Sequence, residues 1–298
     1  MSGSQWRKFK GVDGSALSEA RLQAHYALQW LARTSRAYAA PRPNDHHTNL
    51  GWDDAVGGLT THALPQGTVL GLKISDLTLV LWERSRLALA PGMEPVLGPV
   101  LEPVLGPALG LEERRDAEIR QWLGRHLSGS GLDAQALDAA SPYRMPEHPI
   151  GRGAPYGAAG LSEALADLVA WFGNANRVLG ETRQRIVGRG IDAPPVRCWP
   201  HHFDLDSLIS LGSVAAARTI GIGFSPGDEY YDQPYFYVSC YPPPDVAVLP
   251  ALPPLGHWHT HHFTAAVAVA ERIVETDNQQ AETEAFLGAA TDILIPRA

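Results

Sequence analysis

The 298-residue chain is 45% apolar and 19% charged, an ordinary balance for a globular protein with a sizeable core. Its formal charge of −8 and pI near 5.8, with Lys and Arg scattered rather than massed, argue against a nucleic-acid-binding surface. No apolar run reaches the ~20 residues of a membrane span, and no apolar segment follows the basic N-terminal residues, so the expected location is cytoplasmic with no membrane partner. Two cysteines, Cys198 and Cys240, are too few for a disulfide framework and read as reduced, inert thiols.

Taken in chain order, Leu17, Leu22, Tyr26, Leu28, Trp30 and Leu31 give a broad apolar face that predicts a helix over 15–39, closed by Pro41 and Pro43. The period then changes. Short segments at 48–52, 58–64, 68–74 and 78–82 are separated by Asp53-Asp54, Gly57-Gly58, Pro65-Gln66-Gly67 and Ser75-Asp76, the punctuation of an antiparallel meander. Residues 94–109 are a tandem octamer, Glu94 to Leu101 followed by Glu102 to Leu109. Proline at every fourth position forbids a regular helix and discourages a central strand, so 91–110 reads as an inserted loop. A helix is expected over 112–127. The strongest helical pattern lies at 161–187, with Leu165, Leu168, Val169, Phe172, Val178 and Leu179 on one face. Strand signals return at 196–211, 219–224, 235–241 and 263–269, and a helix over 279–294 follows. The expected architecture is α+β: antiparallel sheets from two helix-plus-meander halves, 15–90 and 160–298, packed with central helices as one unit over 1–298.

Six of the twelve histidines fall in two aromatic- and proline-rich stretches, His201-His202 and His257 to His262. Alternate residues of a strand share a face, so one continuous strand over 196–211 would align Cys198, His202, Asp204 and Asp206. The second stretch would align His257, His259 and His261. His201, His202, Asp204, His257, His259 and His261 are therefore candidate ligands for a divalent metal of the zinc, iron, manganese or nickel type. If so, His202 and Asp204 should lie within ~6 Å of one of the later histidines. Against this stands the reading of histidines as hydrogen-bonding residues at strand ends. Between the stretches, a polar loop carries Asp228, Glu229 and Asp232 as candidates for a general base or a completing ligand. His46 and His47 open the first meander, where capping a turn is the plainer role. No phosphate loop, nucleophile elbow or dinucleotide-binding glycine motif is present, so no nucleotide cofactor is expected.

Asn44 to His47, Gly58-Leu59-Thr60-Thr61, Phe203-Asp204-Leu205, Gly223-Phe224-Ser225-Pro226-Gly227 and the aromatic stretch from Tyr235 to Pro242 occur in an order that resembles an uncharacterised bacterial family of unknown function. The resemblance implies a single integrated α+β unit and no known activity. The histidine pairs at 201–202 and 257–262 are not part of that pattern. Three functions stay open: metal-assisted chemistry such as hydrolysis, metal-free binding of a small molecule, and a structural or homo-oligomer-forming role with the proline repeat as a docking arm.

Overall fold

The computed structural model describes residues 5–83, 106–129, 131–212 and 218–295. The fold is α+β, with two antiparallel sheets. The chain divides into two compact units, Leu22–Ser162 and Met1–Arg21 with Glu163–Ala298. The expected halves at 15–90 and 160–298 coincide with these units only in part. Among the described residues no helix is long and apolar enough to cross a membrane.

Helix α1 (Gly14–Tyr38) begins in one unit and ends in the other. The Leu22–Ser162 unit then forms the predicted meander as β1 (Gly51–Asp53), β2 (Gly58–Thr60), β3 (Thr68–Lys73) and β4 (Thr78–Glu83). A fifth strand, β5 (Ala108–Gly110), pairs with β4. The end of the proline-rich segment is thus a sheet edge, where the lack of a proline N–H does least harm; the rest of the octamer repeat, up to Leu105, lies outside the described residues. Helix α2 (Asp116–Ser128) buries Ile119, Trp122, Leu123 and Leu127.

The other unit carries α3 (Ser162–Val187), β6 (Arg197–Trp199), β7 (Asp204–Leu211), β8 (Arg218–Ser225) and β9 (Tyr235–Tyr241). It continues with β10 (His257–His259), β11 (Ala265–Val269), α4 (Ala270–Val274) and α5 (Gln279–Leu294). The six strands lie in the order β10-β11-β9-β8-β7-β6. One face is apolar: Leu205, Ile209, Ile220, Ile222, Phe224, Phe236, Val238, Ala266 and Ala268 are all at or below 1% exposure. Phe172 of α3 meets Phe203 at 4.9 Å and Phe224 at 5.4 Å between ring centroids, and α5 lies against β8, β9 and β11. Each fully buried ring of this kind contributes about 1.5–3 kcal/mol.

The segment expected as one strand over 196–211 is a hairpin. Trp199 O accepts from the backbone N–H of His202 and Phe203, and Phe203 takes a left-handed φ of 59° while its ring enters the core. Strand parity therefore does not run through residues 200–203. Cys198 pairs with Leu205 on the apolar face, and His202 sits in the turn, so only Asp204 and Asp206 keep the shared face expected for all four.

Candidate functional site

The opposite face of the six-stranded sheet carries acidic, phenolic and histidine side chains. One cross-strand row runs Arg197, Asp206, Gly223, Tyr237, Val267, His257. Beside it, Asp204 lies opposite Trp199, and Ser225 opposite Tyr235. On the other side, Leu208, Gly221, Ser239, Ala265 and His259 form a third row. Alternation alone places both aspartates, both glycines and the phenols of Tyr235 and Tyr237 together.

Glycine makes the acidic end of this face. A Cβ at Gly223 would overlap the Tyr237 ring and approach Leu205 O to 2.7 Å. Its absence lets the Tyr237 side chain lie across β8 and donate its O–H to Asp204 Oδ2 at 2.6 Å, two strands away. At Gly221 the vacated space admits Ser239 Oγ and the Asp206 carboxylate, whose oxygens lie 3.6 and 3.7 Å from where a Cβ would stand. Asp204 and Asp206 are each half-buried as residues, yet Asp204 Oδ1 and Asp206 Oδ1 are enclosed and accept no hydrogen bond from the described residues.

That enclosure sets the electrostatics. Burial pushes the Asp204 carboxyl up, the Tyr237 hydrogen bond and the field of His202 pull it back, and Asp228 adds to the rise. Burial, reinforced by Asp204, holds Asp206 well above the carboxylate range against the pull of the Ile222 and Ser207 amides. Two like charges on one strand face disfavour double ionisation, so the pair retains protons to higher pH than isolated aspartates do.

From Tyr237 an aromatic strip leads to the other edge of the sheet. Ring centroids step from Tyr237 to Tyr235 at 6.1 Å, from Tyr235 to Tyr231 at 4.9 Å, and from Tyr231 to His257 and His259 at 5.9 and 5.6 Å. The Tyr231 hydroxyl sits 2.9 Å from both His257 Nε2 and His259 Nδ1. His259 Nε2 lies 2.6 Å from His261 O, a pure acceptor, so the proton of His259 is on Nε2 and its Nδ1 accepts from Tyr231. His257 Nε2 then donates to the phenol oxygen. Burial, with the fields of His259 and Arg272, pulls the pKa of His257 down.

The six candidate metal ligands are divided between these two ends. His201 and His202 stack on one another at 4.1 Å in the β6–β7 turn, and burial, with His202 adjacent, pushes His201 down to about 4. Asp204 is on β7, whereas His257 and His259 are on β10, four strand positions across the sheet and roughly 19 Å away at ~4.8 Å per strand. The expected approach to ~6 Å is not made. His261 lies beyond the end of β10 in an exposed turn. Among the described residues no group of three or more His, Cys, Asp or Glu side chains is gathered to hold an ion. The first histidine pair shows the plainer role: His47 Nδ1 accepts from Arg42 N at 3.3 Å.

Asp228, a candidate general base, organises its own loop. Its Oδ1 accepts from the N–H groups of Tyr230 and Tyr231 at 2.8 and 3.1 Å, and its Oδ2 accepts from the Tyr235 hydroxyl. Glu229 and Asp232 are exposed. The Arg21 guanidinium lies in the fields of Asp228 and Asp232, and burial pulls its pKa down against them. A solvent-open groove of about 450 Å³ elsewhere in this unit is lined by Glu181, Gln184, Arg185 and Glu284. Its lining side chains are charged or amide, and burial and the field of Glu284 raise Glu181; the sheet face instead sets aromatic rings beside enclosed carboxyls.

Tyr231, Tyr237 and the glycine pair were the residues hardest to single out from sequence. Their signal was the spacing of Gly221-x-Gly223 against Tyr235-x-Tyr237, which acquires meaning only once β8 and β9 pair in register. Comparison of the chain with protein-family models, with curated proteins and with solved structures finds no match to any of them. The resemblance drawn from its ordered motifs therefore rests on those motifs alone.

Proposed function

We propose that the protein binds a small molecule bearing a positively charged amine at Asp204 and Asp206, on the polar face of its six-stranded sheet. The observation that carries this reading is the pair of enclosed carboxyl oxygens, Asp204 Oδ1 and Asp206 Oδ1, that accept no hydrogen bond. Buried acceptors in native proteins are almost always satisfied, and an exception points to a water, an ion or a ligand. An ammonium group supplies both missing elements, N–H donors and a compensating charge. The phenol rings of Tyr235 and Tyr237 beside it offer π faces of the kind that attract cations.

Metal-assisted hydrolysis is the second reading, with a divalent cation between the same carboxylates. Hard cations such as calcium and magnesium prefer oxygen ligands, but they take six or more, and two carboxylates with one phenol supply few of them. The amine is therefore the preferred ligand class.

Calorimetric titration tests the choice. Alkyl- and arylalkyl-amines are compared with their alcohol isosteres and with magnesium and calcium, in buffers of different ionisation enthalpy. Amines should bind, alcohols should not, and binding should release protons because the ammonium favours the ionised carboxylates. Asp206→Asn should abolish the proton release. Equal binding of amine and alcohol, or unchanged amine binding in Asp206→Asn, refutes the reading; binding of magnesium or calcium alone moves it to the metal.

A further inference from the structure

We infer that Tyr231, His257 and His259 form a second, separate site that binds a divalent transition metal, copper(II) most tightly. The argument does not depend on the amine reading. Two imidazole nitrogens converge on one phenol oxygen, each at 2.9 Å. Bonds of about 2.0–2.1 Å to a four-coordinate ion place neighbouring donors roughly 3.3 Å apart in a tetrahedron and somewhat closer in a square plane. The three donor atoms are thus already spaced to within a few tenths of an ångström of two edges of such a coordination shell.

His259 is also held as a ligating histidine is. Its Nε2–H is fixed on the His261 carbonyl at 2.6 Å, which leaves the Nδ1 lone pair directed at the Tyr231 oxygen. A backbone carbonyl on the far ring nitrogen is the usual outer partner that sets the tautomer of a metal-bound imidazole. The Phe263 ring stacks on His259 at 4.2 Å and fixes the plane of the imidazole. Tyr231 is half-buried and His257 is exposed, so an ion has a path in from solvent. Arg272, the cation whose field reaches His257, is tied to Pro254 O at 2.8 Å.

Uptake of the ion is a proton exchange without redox change. The Tyr231 O–H bond breaks, its proton goes to solvent, and the phenolate oxygen bonds the metal. The Nε2 proton of His257 is replaced by one on Nδ1, which frees Nε2 to coordinate. The resulting set is two neutral imidazoles and one phenolate, with a position left for water. Imidazole nitrogen suits copper, nickel and zinc, and among divalent ions affinity peaks at copper. The third donor is a phenol, which is why histidine and carboxylate spacing in the sequence did not reveal the set.

The test uses the full chain, purified without a histidine tag and stripped by chelation, titrated with copper(II) and with zinc(II) against a competing chelator. One equivalent of copper should bind with a phenolate-to-copper charge-transfer band in the visible and with nitrogen hyperfine structure from two imidazoles. Tyr231→Phe should remove the band and weaken binding at least tenfold, because the remaining pair of imidazoles lacks the anionic ligand. His257→Gln and His259→Gln should each weaken it at least as much. Asp206→Asn, on the same face but toward the other edge of the sheet, should leave copper binding unchanged while it removes amine-linked proton release, which separates the two readings. Absence of a stoichiometric copper site, a site without the charge-transfer band, or binding lost in His261→Ala or His262→Ala but kept in His257→Gln would overturn the inference.

Discussion

Replacing Asp206 by asparagine should stabilise the protein, and by an amount that depends on pH. Asp204 and Asp206 share a strand face two residues apart, so their Cα atoms are about 6.7 Å apart. Two full charges at roughly 7 Å repel by about 2 kcal/mol at an effective dielectric of ~20. The unsatisfied, enclosed Asp206 Oδ1 adds a desolvation cost on the order of 1–3 kcal/mol when the group is ionised. Taking about 2 kcal/mol as the net gain, the melting temperature should rise by roughly 4–8 °C for a unit of this size. Both carboxyls are raised in the folded state. Between the ordinary carboxylate pKa, near 4, and the raised values, the native chain therefore holds more protons than the unfolded one, and stability falls as pH rises through that window. The substitution removes this loss. Calorimetric melts of the wild-type chain and of Asp206→Asn should differ little at about pH 4 and most at about pH 7.5. The exposed Asp232→Asn serves as the control. A lower melting temperature at neutral pH, or a gain equal at both pH values, would show that the Ile222 and Ser207 amides stabilise the Asp206 carboxylate by more than its burial and repulsion cost, and the argument from its unsatisfied oxygen would fail.

Two further outcomes follow from the same geometry. The His201 imidazole should titrate at about 4 in carbon-detected NMR. Because the unfolded chain takes up that proton first, near pH 6.5, the contribution of His201 to stability is whole above that pH and is lost as pH falls toward 4; an NMR midpoint above 6 would show that this exposed turn residue keeps its ring solvated. Gly223→Ala should destabilise by about 1–3 kcal/mol in chemical denaturation, since the new methyl meets a ring and a carbonyl. Gly221→Ala should cost less, because its obstacle at 2.8 Å is the Ser239 hydroxyl, which can rotate away. The reverse order would mean that Tyr237 does not lie across β8.

Helices and the first meander were legible because their signals are local. The apolar face of α3 repeats every three to four residues, and it ends where Gly190 takes a φ of +79°. The strands β1 to β4 stand between Gly, Pro and Asp punctuation. The β6–β7 hairpin was not legible, because its turn contains Pro200-His201-His202-Phe203, without the Asn-Gly or Gly-Gly pair that marks a tight reversal. An apolar residue, Phe203, occupies the left-handed position, held there by its burial against Phe172. This turn takes His202 and Cys198 off the face of Asp204 and Asp206, and the sheet order separately keeps the two histidine sets apart. The alternation of His257 and His259 was legible, and β10 carries it as a three-residue strand at the sheet edge that ends before His261. The tyrosines of β9 alternate onto one face, but the carboxylate that Tyr237 meets is Asp204 on β7, 33 residues earlier in the chain.

The polar face also differs from an ordinary solvated sheet face in where its polarity points. A face turned to water is usually covered by long side chains whose charged ends reach the solvent. Here Gly221 and Gly223 lower the floor of β8, and the neighbouring side chains fold down onto it, Tyr237 over Gly223 and Asp206 with Ser239 over Gly221. The acidic groups are drawn into the layer, where two of their oxygens are closed off without donors. Such an arrangement costs stability and brings no packing gain that a Thr or Val in place of Asp206 would not bring as well. The cost is intelligible if a ligand with donors and a positive charge completes the layer. Tyr237 and Tyr235 then lie between that acidic end and the histidine end, where the donors are nitrogen lone pairs and the Tyr231 phenol oxygen with no carboxylate among them. The two ends differ in donor chemistry, so a ligand that satisfies one is poorly matched to the other: an ammonium group offers nothing to two imidazole lone pairs, and copper prefers them to carboxylates. Amine binding that survives Tyr231→Phe, together with copper binding that survives Asp206→Asn, is the pattern that this division requires.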